Sequence, residues 1–478
     1  LGANRLKLGV LEPFGAEMST SNSPLNYLRQ IAIGAASGLL ILVLIIGGFT
    51  LASTGSGSNP TASNTPTDSP TVTPTTDGRT CSIVDLASDK RLINLHAQVI
   101  NPETNEVLFD LQGNDPAPTA SVMKLLTAAA ALQVLGPNYR VQTKVFADLD
   151  HPGQIVFVGA GDPTLSRVKV GKESVYVGAP KLNDLAVQIN AWARATPITS
   201  IVLDSTYFTG ATWEPGVPDS ERTLGYQPLI TALTVDGDRD NPTRETSPRS
   251  LDPVGRAGTA LKKAIGSLAT NASITQAQAG TNLLQIATVQ SQPISKWITH
   301  MLQVSDNTEA EYLARLVSKQ LGYDGSFTSI DAAIKAALTR SGLDTTGLLL
   351  KDGSGESEDN RVTATFLNAL LKKILNSEGN FGVIKQGLPI SGESGSLANR
   401  FTGDNVDATG HILAKTGWTK HVYSLAGLVT AKDGTDLTFS IAAIGDVNDT
   451  AKEAIDNLAT GIYRCGNKLS ADIPKKIN

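Results

Sequence analysis

The run Ser121-Val-Met-Lys-Leu-Leu-Thr-Ala-Ala-Ala-Ala-Leu-Gln-Val-Leu135 constrains this chain more than any other stretch. Ala and Leu dominate it, nearly every side is apolar, and Gly136-Pro137 stops it, which predicts a buried helix. Ser121 and Lys124 sit three apart at its start, one turn apart on one face. Ser121 lies where free backbone N–H groups can receive an oxyanion.

Two further strings follow in order, Ser305-Asp-Asn307 and Lys415-Thr-Gly417. A chain this long should hold roughly two accidental S-x-x-K strings but only about a tenth of an accidental S-D-N or K-T-G. A second S-x-x-K does occur, Ser166-Arg-Val-Lys169, in a turn feeding an extended segment, and it serves as a control. Taken singly, S-D-N before a helix is commonly an N-cap, K-T-G after a strand is commonly a turn, and a lysine on an apolar helix commonly snorkels to solvent. Joint occurrence, order and setting reverse that balance for these three motifs.

At 478 residues the chain exceeds one compact unit and has room for two or three. A net charge of −5 without a basic stripe argues against nucleic-acid binding. The five histidines (His96, His151, His300, His411, His421) show no metal spacing, no C-x-x-C occurs, and no cofactor is implied. His411 and His421 bracket Lys-Thr-Gly as ordinary surface residues.

Residues 1–30 are polar, and 31–52 carry no charge over a length that spans a bilayer as a helix. A cleaved signal peptide is the alternative, but its apolar core is usually only about 7–15 residues. Arg29 abuts the N-terminal end and the next basic residue is Arg79, which predicts a single-pass cell-membrane protein with residues 1–30 cytoplasmic and the remainder extracellular. Residues 53–80 form a Ser/Thr/Pro-rich linker with too little apolar surface to fold. The folded part starts at Cys81. Cys81 and Cys465 mark its two ends in a compartment where disulfides persist, and they are expected to bond, two unrelated thiols being the alternative.

Residues 93–100 and 106–111 read as a β-hairpin. Three more strand-like runs, 411–415, 422–430 and 436–444, precede a helix-like tail at 450–463, with turns at Gly417-Trp-Thr-Lys420 and Ala431-Lys-Asp-Gly434. Five antiparallel strands with helices on both faces predict an α/β sandwich built from 81–150 and 290–478. The stretch 150–290, rich in Val, Ile, Thr, Gly and Asp, predicts a β-rich insertion.

The chain resembles the class C low-molecular-mass penicillin-binding proteins, the D-alanyl-D-alanine carboxypeptidase/endopeptidases of peptidase family S13. The resemblance covers about 95–463. Beyond the three motifs it rests on Gly159-Ala-Gly-Asp-Pro-Thr-Leu165, Leu203-Asp-Ser-Thr-Tyr-Phe208, Asp352-Gly-Ser-Gly355 with Asp359-Asn-Arg-Val-Thr363, and Leu388-Pro-Ile-Ser-Gly392 with Gly395-Ser-Leu397. It implies a penicillin-binding-protein/β-lactamase-like sandwich. It implies peptidoglycan stem peptides ending in D-Ala-D-Ala as substrates and β-lactams as acylating ligands.

In that reading Ser121 is the nucleophile, and Lys124 is its base, with a pKa depressed by burial and by Lys415. Ser305 relays the proton, Asn307 holds the substrate amide, and Lys415, Thr416 and Gly417 bind the substrate carboxylate end. Ser121 and Trp418 N–H groups make the oxyanion hole. Trp418 departs from the family, which usually has a small hydroxyl residue there. Asp352-Gly-Ser-Gly355 reads as a structural turn. The competing functions are a β-lactamase, for which no deacylating glutamate is identifiable, and a catalytically weak wall-binding or β-lactam-sensing protein.

Overall fold

The computed structural model describes residues 79–470; the expected cytoplasmic tail, membrane span and most of the linker lie outside them. Among the described residues no helix is long and apolar enough to cross a membrane. They contain ten strands: β1 (Asn94–Asn101), β2 (Glu106–Leu111), β3 (Gln142–Asp148), β4 (Gln154–Val158), β5 (Ser200–Asp204), β6 (Ser273–Gln276), β7 (Leu283–Gln290), β8 (Ile412–Thr419), β9 (Val422–Thr430) and β10 (Asp436–Ile444). The longer helices are α1 (Lys124–Val134), α2 (Leu182–Ala193), α3 (Pro253–Ile265), α4 (Ile294–Val304), α5 (Asn307–Gln320), α6 (Phe327–Arg340), α7 (Ala364–Leu375) and α8 (Thr450–Cys465).

One sheet runs β2-β1-β10-β9-β8 and is antiparallel throughout, so the two ends of the described chain meet where β1 pairs with β10. Both faces are covered, which explains why β9 is apolar almost continuously rather than alternating. Leu425 and Val429 point into a core shared with Ile455, Leu458 and Ile462 of α8. Ala426 and Leu428 point the other way, into a core shared with α1, α4, α5, α6 and α7. Helix α1 lies in the middle of that second core, buried from Lys124 to Leu132, as its all-round apolar sequence requires. A disulfide joins Cys81 to Cys465, with Cα atoms 5.4 Å apart, and fastens the start of the described chain to the end of α8.

The second sheet, β6-β5-β4-β3-β7, lies within residues 142–290 and comes with two helices that the sequence reading did not include. It is mixed, with β4·β5 and β5·β6 parallel, and α2 and α3 pack against it. Leu182, Leu185, Ala186, Ile189 and Ala193 of α2 carry a helical period and are buried. Helix α3 opens on Asp252, whose carboxylate accepts from Gly255 N–H, followed by Pro253 at the first position. Valine and isoleucine content had masked both signals. β3, which precedes residue 150, also belongs to this sheet.

Candidate active site

Ser121 sits in the turn Ala120–Met123 that leads into α1. Ala120 is held at φ 46°, a left-handed conformation that strains an alanine. Two glycines let other elements close on this turn. A Cβ on Gly355 would lie 2.0 Å from Ala120 O, and one on Gly417 would lie 2.7 Å from Thr119 O and 2.1 Å from Ser424 Oγ. Ser424 Oγ donates to Thr119 O at 2.7 Å. The serine is thereby wedged between the edge of the first sheet and the loop after Asp352.

Lys124 is completely buried. Its Nζ lies 2.8 Å from Ser121 Oγ and donates to Asn307 Oδ1 at 2.6 Å and Ser354 O at 2.9 Å. Burial pushes its pKa down to about 8, against the opposing pull of Glu356, Glu311, Asp352 and Asp306. Burial, one of the two causes the sequence suggested, is thus the leading one. Lys415 is itself pushed well below the usual lysine range, by burial and then by Lys124.

Ser305 ends α4 in a left-handed conformation, φ 63°, and Asp306 then caps α5 by accepting from Glu309 N–H at 2.9 Å. The two-residue corner presents Ser305 and Asn307 to the cleft. Lys415 Nζ donates to Ser305 Oγ at 2.9 Å and Thr416 O at 2.7 Å, and Thr416 Oγ1 meets Ser396 Oγ at 2.8 Å. All three motifs therefore converge. The control does not: Ser166 is buried away from the cleft, accepting from Val168 N–H.

Lys-Thr-Gly does not end its strand. β8 continues through Gly417 and Trp418 to Thr419, with Trp418 opposite Tyr423, so the expected turn at 417–420 is displaced to the tip beyond. Glu358 secures that tip, accepting from His421 Nδ1 at 2.7 Å, Thr419 Oγ1 at 2.9 Å and His421 N–H at 3.1 Å. His421 is thus a structural partner, while His411 stacks on Tyr463.

The cleft has a volume of about 400 Å³. Ser121, Ser305, Asn307, Thr416 and Gly417 form one side of it, and Glu221, Tyr226, Arg239 and Glu245 from the inserted segment form another. Trp418 is half exposed and meets Tyr226 edge-on, ring centroids 6.4 Å apart.

Beneath the cleft, Arg239 donates to Asp306 Oδ2 at 2.5 Å and to Tyr176 Oη at 2.6 Å. Arg239 and His300 hold the Asp306 carboxyl well below the carboxylate range even though burial alone would raise it. His300, Asp306 and Glu309 bring ligand-type atoms within 4.8 Å of one another. Each is already engaged, His300 with Glu309 at 2.7 Å and Glu245 at 3.1 Å, so the cluster is an ion-pair network.

Sequence reasoning missed this network; Asp352-Gly-Ser-Gly355, read as a structural turn, is one that also holds Lys124. Ser354 O receives Lys124, Gly353 O receives Thr127 Oγ1 at 2.6 Å, and Asp352 ties the loop through Gly355 and Ser357 N–H. Nor did the sequence single out Glu356, which lines the cleft with its carboxylate 2.7 Å from Asn307 Nδ2.

The layering of sheet and helices is that of penicillin binding protein 4 (dacB) from Haemophilus influenzae, with a TM-score of 0.67 at 19% identity over 79% of this chain and 97% of that one. The description "D-Ala-D-Ala carboxypeptidase 3 (S13) family" matches residues 81–246 and 238–462, and the chain belongs to that family. It is 35% identical to Carboxypeptidase Rv3627c of Mycobacterium tuberculosis over 82% of this chain and 85% of that protein. It is 33% identical to Carboxypeptidase DacB of Mycolicibacterium smegmatis over 84% and 87%.

Proposed function

We propose that this chain is a serine-type D-Ala-D-Ala carboxypeptidase that trims peptidoglycan stem peptides through an acyl-enzyme on Ser121, and that β-lactams acylate the same oxygen. One observation carries the assignment: Ser121 Oγ stands 2.8 Å from a fully buried lysine whose pKa is about 8. A lysine that is neutral part of the time can take the serine proton as Oγ attacks the penultimate D-Ala carbonyl. Lys415 donates to Ser305 Oγ, which leaves the Ser305 hydroxyl proton free for the departing D-Ala amine. Lys415 and Thr416 face the substrate carboxylate, and the Ser121 and Trp418 N–H groups face the oxyanion. Water then hydrolyses the ester and restores Ser121.

The catalytic domain comprises the first sheet with its helices, and residues from about 142 to 290 form an inserted domain that supplies one cleft wall. Residues 31–52 anchor the enzyme in the cell membrane with its catalytic part outside. Endopeptidase action on cross-links is the finer extension of the same chemistry. Release of D-Ala from a peptide ending in D-Ala-D-Ala tests the function: wild type should release it and Ser121→Ala should not. Release by Ser121→Ala at the wild-type rate would overturn the assignment.

A further inference from the structure

Glu356 has no part in the reaction as described so far. It follows Asp352-Gly-Ser-Gly355, and the two residues before it are anchored in the site: Ser354 O on Lys124 Nζ, and Gly355 under the Ala120 carbonyl. Its own carboxylate is partly buried at the cleft wall and accepts from Asn307 Nδ2 at 2.7 Å. The other end of the same amide, Asn307 Oδ1, accepts from Lys124 Nζ at 2.6 Å. The Asn307 side chain therefore bridges an acid and the base that serves Ser121.

We propose that Glu356 is a positioning residue for acylation: it holds Asn307 against Lys124 and, across that amide, governs how readily the lysine gives up its proton. This rests on the reading of Ser121 and Lys124 as nucleophile and base. A carboxylate two hydrogen bonds away favours the ammonium form, whereas a protonated Glu356 beside a neutral Lys124 carries the same total charge and is the form in which the lysine can act. Burial pushes Glu356 up to about 7 and Lys124 down to about 8, so both titrate near neutrality. The other charges facing the pair are Glu221 from the inserted segment, Asp352 from its own loop, Asp306 from the corner before α5, Glu311 from α5 and Lys415 from β8.

The test is the rate of acylation by a fluorescent penicillin between about pH 5.5 and 9.5, for wild type, Glu356→Gln and Glu356→Leu. Glutamine keeps an acceptor for Asn307 but removes the charge. Its acid limb should move about one pH unit lower, making acylation at pH 7 on the order of fivefold faster, with the alkaline plateau unchanged. Leucine removes charge and acceptor alike. Its limb should move similarly while its plateau falls roughly tenfold as Asn307 is released. Thermal melting identifies a variant that does not fold, and the other then carries the test on its own limb shift. An acid limb that stays at the wild-type position in a folded variant would overturn the proposal, as would collapse of the glutamine variant's plateau, which would make the carboxylate itself a reacting group. Failure of wild type to be acylated would instead sink the assignment of Ser121.

Discussion

Replacing Gly417 by alanine puts a methyl group where the structure has room for none. Its Cβ would stand 2.1 Å from Ser424 Oγ, 2.7 Å from Thr119 O and 3.1 Å from Ala120 Cβ. The first contact is relieved only if Ser424 retreats by close to an ångström and gives up its hydrogen bond to Thr119 O. The second is to backbone, so the turn carrying Ser121 must move as well. Overpacking costs about 1–3 kcal/mol, and the lost hydrogen bond about 1 kcal/mol more. The expected fall in stability is therefore about 2–4 kcal/mol, read as a drop of several degrees in Tm. A displacement of the nucleophile by close to an ångström should also slow penicillin acylation by about a hundredfold. Combining Gly417→Ala with Ser424→Ala should recover part of the stability but little of the rate, because the Thr119 contact remains. Unchanged acylation and Tm in Gly417→Ala would refute the argument that β8 pins the nucleophile turn.

The acylation rate of the wild-type enzyme should rise about tenfold per pH unit below pH 8 and level off above about pH 9, because the reactive form is neutral Lys124; a rate flat from pH 6 to 9 would contradict this. Asp306→Asn leaves buried Arg239 with only the more distant carboxylate of Glu245, at 3.8 Å, and should cost about 3 kcal/mol in denaturant unfolding. Because the folded-state pKa of Asp306 is depressed, its contribution is complete above about pH 4 and is lost only as pH falls toward the lower folded value, so wild type and the variant should converge in strong acid. Reduction of the Cys81–Cys465 disulfide, which closes a loop of 384 residues, should lower stability by up to about 5 kcal/mol, measured as the shift in denaturant midpoint.

The reach of the sequence differed from element to element for physical reasons. The buried helix at Lys124–Val134 and the hairpin before it were legible because their patterns are local and the helix is stopped by glycine and proline. Convergence of Ser121, Ser305 and Lys415 was legible only through joint occurrence, since no local signal brings together residues so far apart in the chain. Helices α2 and α3 were missed because β-branched composition outweighed their period in a segment taken as one block. The reach of β8 past Gly417 was missed because a glycine reads as a turn, whereas this one serves a close approach of Thr119 and Ser424. Glu356 had no signal at all. What makes it notable is its place on the cleft wall and the bridge through Asn307, both properties of the fold.

The most direct measurement of the central claim is the site of covalent attachment after exposure to penicillin. Peptide mapping by mass spectrometry should find a single penicilloyl adduct on the peptide that contains Ser121, abolished in Ser121→Ala and retained in Ser166→Ala. An adduct on another serine, or one that persists in folded Ser121→Ala, would contradict the account.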